Sequence, residues 1–287
     1  MKNQPEYYSQ QYNARAAIPE HPHILTRWLK DSAHVRRTNA ALLDLAYGES
    51  SGERLDFFPV KRSGAPLLVY IHGGWWRSLD KSDFSFIAPA YVKAGFNVAL
   101  TNYTLAPAAS IREIVQQQLR ALAWLYRNAE QYDFDRERIV VAGHSAGGHL
   151  TAMMLAANWP VFGDDLPADL VKAGIMLSGV YDLEPVRQAE FVNVDAKLTA
   201  EDVNQLSPAW MPQPMPTPFI TAVGALESDE FRRQTGIIAE SWKAGHRADI
   251  ALPDINHMTI CDAFATPGNA LFETSVELIS NVKTPAT

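Results

Sequence analysis

The stretch RIVVAGHSAGGHLTAMM, residues 138–154, decides the fold. It opens as an apolar run, RIVVA, of the kind found in a strand buried on both faces. It breaks at GHSAG (143–147) and resumes with small and apolar residues that suit a helix. Gly143 and Gly147 therefore flank Ser145 in the spacing G-x-S-x-G between a strand and a helix. The spacing alone arises by chance, and its flanking elements are what make it a tight strand-to-helix turn. Such a turn strains the serine backbone and requires small neighbours. It also presents the hydroxyl at a helix N-terminus, where developing negative charge is favoured. The plain alternative is a glycine-rich βα turn with an incidental serine.

Outward from this stretch, short apolar runs alternate with helical patterns. Strands are expected at 54–60, 66–72, 96–103, 138–144, 173–179, 218–224 and 248–253. Helices are expected at 110–132, 145–158, 229–245 and 270–283. In the first of these, Ile111, Val115, Leu119, Leu122 and Leu125 recur at helical spacing behind Ser110 as N-cap. Strand alternating with helix predicts an α/β fold with a mostly parallel sheet covered on both faces. Two segments depart from the alternation. Residues 1–45 read as helical with aromatic anchors, and Pro-rich 180–217 reads as an irregular excursion near the sheet top. One domain, 1–287, is expected.

A serine hydroxyl needs a base, which in this architecture follows it in the chain. Of eight histidines, His246 and His257 follow at a distance. His246 ends a charged helix, where a solvated role suits it. His257 sits in the loop after the last strand and is the favoured base. The orienting acid should lie between serine and base. Glu227 is first choice in the loop after strand 218–224, and Asp229, in the first turn of the next helix, is second. Asp182, after the preceding strand, is a distant third.

The stretch IHGGWW (71–76) ends another strand with bare backbone followed by two indoles. Alone it reads as a tight strand-end turn; together with Ser145 it is expected to supply an oxyanion hole from the amides of Gly73 and Gly74, with that of Ala146 after the nucleophile. His72 reads as a brace for the loop. Trp76 reads as an anchor and Trp75 as a substrate contact, with Tyr103, Tyr181 and Trp210 as further candidates for the pocket mouth.

These residues resemble the α/β-hydrolase superfamily, and within it the kynurenine formamidase (arylformamidase) branch that borders the hormone-sensitive-lipase-like esterases. The carriers are His72, Gly73, Gly74 and Trp76 in H-G-G-x-W, the elbow Gly143 to Gly147, and Glu227, Ser228 and Phe231 in an acid-Ser-x-x-Phe segment. The resemblance implies an α/β-hydrolase fold of about eight strands, and a serine hydrolase of small amides or esters that works through an acyl-enzyme. An arylformamidase is the leading expectation and a short-chain carboxylesterase the alternative. Better-known members often carry aspartate where this chain has Glu227, which keeps Asp229 open. A non-catalytic binding protein of the same fold is the remote alternative.

Composition agrees with a small-molecule enzyme. The 287 residues are 47% hydrophobic and 20% charged, with a net charge of −7 and no basic block, so nucleic acid is not an expected partner. The lone Cys261 permits no internal disulfide and suits a cytoplasmic setting. No apolar run approaches the roughly 20 residues of a membrane helix. No cofactor and no metal are expected, since no spacing such as H-E-x-x-H is present. The expected partner is the substrate, with a homodimer left open.

Overall fold

The computed structural model describes residues 4–282. Its elements run α1 (Gln4–Tyr12), α2 (Ala14–Ala17), α3 (His21–Thr38), β1 (Leu42–Ala46), β2 (Arg54–Phe58), β3 (Ala65–Ile71), α4 (Ala88–Lys93), β4 (Asn97–Thr101), α5 (Ile111–Arg127) and β5 (Phe134–His144). They continue with α6 (Ala146–Ala156), α7 (Trp159–Phe162), β6 (Ala173–Leu177), α8 (Glu184–Gln188), α9 (Glu190–Ala196), α10 (Ala200–Leu206), β7 (Phe219–Gly224), α11 (Asp229–Ser241), β8 (His246–Leu252), α12 (Thr259–Ala265) and α13 (Ala270–Asn281). The eight strands form one sheet in the order β1-β2-β4-β3-β5-β6-β7-β8. β2 pairs antiparallel with both β1 and β4, and every later pairing is parallel.

The alternation of side chains along each strand divides the core in two. Leu67, Val69 and Ile71 of β3 join Ile139 and Val141 of β5 on one face, under α5, α6 and α11. Leu68 and Tyr70 join Val140 and Ala142 on the other, under α3, α4, α12 and α13. Both faces of the central strands are thus buried, which is why their sequences read as continuous apolar runs. The parallel strands point their C-terminal ends the same way, and the loops leaving β3, β5, β6, β7 and β8 gather there.

Two segments differ from expectation. The N-terminal segment is helical only to Thr38, and then forms the edge strand β1. Leu42 and Leu43 are exposed on it and Asp44 takes φ 58°, so no alternation marks it in the sequence. Tertiary partners hold it: the Asp44 N–H donates to Asp56 Oδ1 (2.8 Å), and buried Lys81 bridges Asp44 (2.6 Å) and Asp56 (2.8 Å). The excursion at 180–217 is not irregular but carries α8, α9, α10 and a 3₁₀ turn at Pro208–Trp210. A readable signal was present in Thr199-x-x-Asp202, which forms a reciprocal capping box at the start of α10. Residues 1–3 of the first segment and residue 283 of the last helix expected lie outside the described residues. Among the described residues, no helix is long and apolar enough to cross a membrane.

Candidate active site

Ser145 occupies the turn between β5 and α6 with φ 57° and ψ −118°. This left-handed conformation costs about 1–3 kcal/mol for a non-glycine residue, and the neighbouring strand secures it: the Ser145 N–H donates to the Leu177 carbonyl at 2.8 Å. A Cβ at Gly147 would stand 2.0 Å from the Ile71 carbonyl oxygen, so the second glycine of the motif is required by close approach of α6 to β3.

His257 lies between β8 and α12. Its Nε2 is 3.1 Å from Ser145 Oγ and its Nδ1 is 2.6 Å from Glu227 Oε2. Phe231 stacks on the imidazole at 4.0 Å, and the His144 ring stands 4.6 Å away on another side. The Glu227 carboxylate is fully buried, and its other oxygen, Oε1, accepts from Ser178 Oγ (2.5 Å) and the Gly224 N–H (2.8 Å). Arg232 grips the Glu227 backbone carbonyl. Asp229, the second choice of acid, does not reach the site: its side chain is 76% exposed and pairs with Arg232 at 2.5 Å. As the first residue of α11 it points to solvent at a helix N-terminus, where an acid is favoured without further duty. Asp182 is held by Arg233 at 3.2 Å, and His246 Nε2 meets Thr221 Oγ1 at 2.9 Å, both away from Ser145.

The His72–Trp76 loop packs directly on the elbow. A Cβ at Gly73 would lie 2.7 Å from the His144 carbonyl oxygen and 3.0 Å from Ser145 Cβ. Gly74 has φ 104° and lines the cavity beside Ser145. Ala146 opens α6 immediately after the serine. The His72 ring nitrogens lie 2.8 Å from the Gly73 carbonyl oxygen and 3.0 Å from the Asn102 side-chain amide, and the neutral ring donates to one of the two.

Trp75 and Trp76 take φ 54° and 57°, and their indoles meet edge-on at 6.0 Å. Trp76 is fully buried, edge-on to His149 at 5.2 Å. Trp75 lines a cavity of about 470 Å³ that also contacts Ser145, His257, His144 and Met258.

Three of the aromatic candidates do not line this cavity. Tyr103 lies behind the loop, stacked on His72 at 4.4 Å with its hydroxyl donating to the His72 carbonyl (3.0 Å). Tyr181 is fully buried in the core, because Gln234 Oε1 accepts from the amides of Tyr181 (2.7 Å) and Asp182 (2.8 Å) and turns the chain inward. Trp210 is 62% exposed on the 3₁₀ turn that follows α10.

Their places are taken by residues with no local signal. Phe191 and Asp195 come from α9, and Asn13 and Arg15 from the N-terminal segment. Arg77 and Asp195 pair at 2.5 Å, and Trp75 meets Tyr12 (5.6 Å) and Phe191 (6.1 Å) edge-on. The Tyr12 hydroxyl anchors this covering segment by donating to Glu230 Oε2 at 2.9 Å.

Burial pushes the imidazoles of His72, His144 and His149 below the ordinary histidine range; the neighbouring His257 adds to the effect at His144, and His149 falls to about 4. These rings are therefore neutral in the fold at neutral pH. Below its ordinary value of 6.5, His149 takes a proton in the unfolded chain that the fold resists. Stability should accordingly be complete above pH 6.5 and be lost as pH falls toward about 4, by about 3 kcal/mol for His149 alone. Urea midpoints measured across this window check the slope, and His149→Gln is expected to make it shallower.

Residues 55–218 match the BD-FAE family, more than half of the chain. The chain belongs to the BD-FAE family. The matched span holds the glycine loop and the elbow, while Glu227 and His257 lie beyond it. The BD-FAE chain is 31% identical over 238 residues to kynurenine formamidase of Danio rerio, covering 80% of this chain and 78% of that one. It is 31% identical over 159 residues to esterase LipQ of Mycobacterium tuberculosis, covering 52% and 37%. A crystal structure described as a candidate thioesterase from Silicibacter superposes with TM-score 0.81 at 29% identity, over 94% of this chain and 98% of that one. The BD-FAE chain has the α/β-hydrolase fold and is a serine hydrolase of the arylformamidase and carboxylesterase type.

Proposed function

We propose that this protein hydrolyses an aryl formamide through an acyl-enzyme, with Ser145 as nucleophile, His257 as base and Glu227 as orienting acid. The observation that carries the reading is the unbroken line of hydrogen bonds from Ser145 Oγ to His257 (3.1 Å) and on to Glu227 (2.6 Å), at the floor of an aromatic cavity. Ser145 Oγ attacks the formyl carbon while its proton passes to His257 Nε2. The carbonyl oxygen becomes an oxyanion that the amides of Gly73, Gly74 and Ala146 receive, and each such donor is worth about 10²–10³ in rate. Glu227 Oε2 fixes the imidazole tautomer and stabilises the imidazolium. The C–N bond breaks as His257 returns the proton to the leaving arylamine, and the formyl group stays on Ser145 as an ester. Water then attacks that ester with His257 again as base, so formate departs and Ser145 regains its proton.

The walls favour the amide of a planar amine. Trp75 and Phe191 give flat apolar surfaces, and Arg77 with Asp195 gives a polar rim. Likeness to a kynurenine formamidase makes N-formylkynurenine the first amide to try. Its kcat/KM is expected to exceed those of p-nitrophenyl acetate and butyrate by at least about tenfold, which is 1.4 kcal/mol in the barrier. Rapid turnover of the esters with none of the formamide would replace this reading with a short-chain carboxylesterase. A Ser145 that ignores a fluorophosphonate in folded protein would point to a non-catalytic fold member.

A further inference from the structure

The nucleophile's turn has a counterpart one strand away. Ser145 follows β5 with φ 57° and donates its N–H to the Leu177 carbonyl at 2.8 Å. Ser178 follows β6 with φ 47° and donates its N–H to the Ala222 carbonyl at 2.8 Å. Both are serines in a backbone conformation that residues other than glycine seldom adopt, and neither sits in a hairpin that would require it. The outcome at Ser178 is specific: its fully buried hydroxyl meets Glu227 Oε1 at 2.5 Å.

Glu227 needs such a partner. A glutamate has one more rotatable bond than an aspartate, so its carboxylate is harder to hold in a single pose. The carboxylate is fully buried, where an unmatched acceptor is costly. Oε1 is occupied by Ser178 and by the Gly224 N–H at 2.8 Å, which leaves Oε2 to His257 at 2.6 Å.

We propose that Ser178 is a positioning residue for the triad acid: its hydroxyl pins Glu227 Oε1 so that Oε2 alone faces His257. The proposal rests on the reading of Glu227 as that acid. It gives a physical reason why glutamate can serve at this position. The extra methylene reaches across to a serine just past the neighbouring strand, and the charge of the resting carboxylate is shared among three donors before His257 is protonated.

The test compares Ser178→Ala and Ser178→Gly in the full chain, with p-nitrophenyl acetate as the probe. Both variants are expected to lose about 10- to 100-fold in kcat with KM unchanged within about twofold. The low-field proton resonance of the His257–Glu227 hydrogen bond is expected to move in both. Glycine adopts φ 47° without strain, whereas alanine keeps the strain that the serine carries, so Ser178→Gly should be the more stable of the two in urea while losing the same activity. In a Glu227→Gln background, Ser178→Ala should have no further effect on kcat. Near-normal kcat in Ser178→Ala, recovery of activity in Ser178→Gly, or additive losses with Glu227→Gln would each overturn the proposal. If Glu227→Gln alone kept full activity, the acid assignment itself would fall, and the role of Ser178 with it.

Discussion

Ser145→Ala is expected to lower kcat/KM by about 10⁵–10⁶-fold while the protein remains folded. The hydroxyl donates no hydrogen bond on which the elbow depends: the turn is held by the Ser145 N–H to Leu177 and by the contact of Gly147 with β3. His257→Ala should cost about as much, because a serine without its base is a poor nucleophile. The double variant should then be no worse than either single one, since the two residues act as a unit. Residual turnover above that of water would come from the glycine loop and from substrate binding. The measurement is the three-way comparison of kcat/KM, with circular dichroism to show the fold. Losses under about tenfold, or losses that multiply in the double variant, would remove Ser145 and His257 from the roles assigned to them.

Glu227→Gln is expected to reduce kcat by about 10³–10⁴-fold, whereas Asp229→Asn should leave it within about twofold. Both carboxylates follow β7 within a few residues, yet they face opposite ways. Glu227 is buried at 2.6 Å from His257 Nδ1, while the Asp229 side chain is 76% exposed beside Arg232. An amide at 227 that turns its NH₂ toward Nδ1 favours the wrong imidazole tautomer, with a proton on Nε2 where the serine's proton must go. It also cannot neutralise the imidazolium that forms. A strong loss in Asp229→Asn with a mild one in Glu227→Gln would reverse the assignment.

How far the site was legible depends on how local its signals are. The elbow and the glycine loop each sit at a strand end, where a few adjacent residues state both the geometry and the chemistry. His257 was legible because chain order and loop placement left little competition. The choice between Glu227 and Asp229 was only half legible: a helix-start acid looks alike whether its side chain turns inward or outward. Tyr103, Tyr181 and Trp210 were misplaced because ring type does not tell which side of a loop a ring will face. Tyr103 and Tyr181 went into the interior behind the loops, and Trp210 went to solvent.

By itself, the sequence determined what depends on short periods and turn chemistry: the seven strands, four of the covering helices (α5, α6, α11 and α13), the strained turn at Ser145 and the glycine pair after His72. Only the tertiary structure decided the rest. It added β1 as an edge strand, because the ion pairs that hold it lie far away in the chain. It brought Asn13, Arg15, Phe191 and Asp195 to the cavity, and it put Ser178 against Glu227 from the end of the neighbouring strand. The reason is physical: a parallel sheet gathers its strand ends by pairing segments 30 to more than 100 residues apart, as the Glu227–His257 and Ser145–His257 bonds are. The contacts made there follow from strand order and register, which no short stretch of chain encodes.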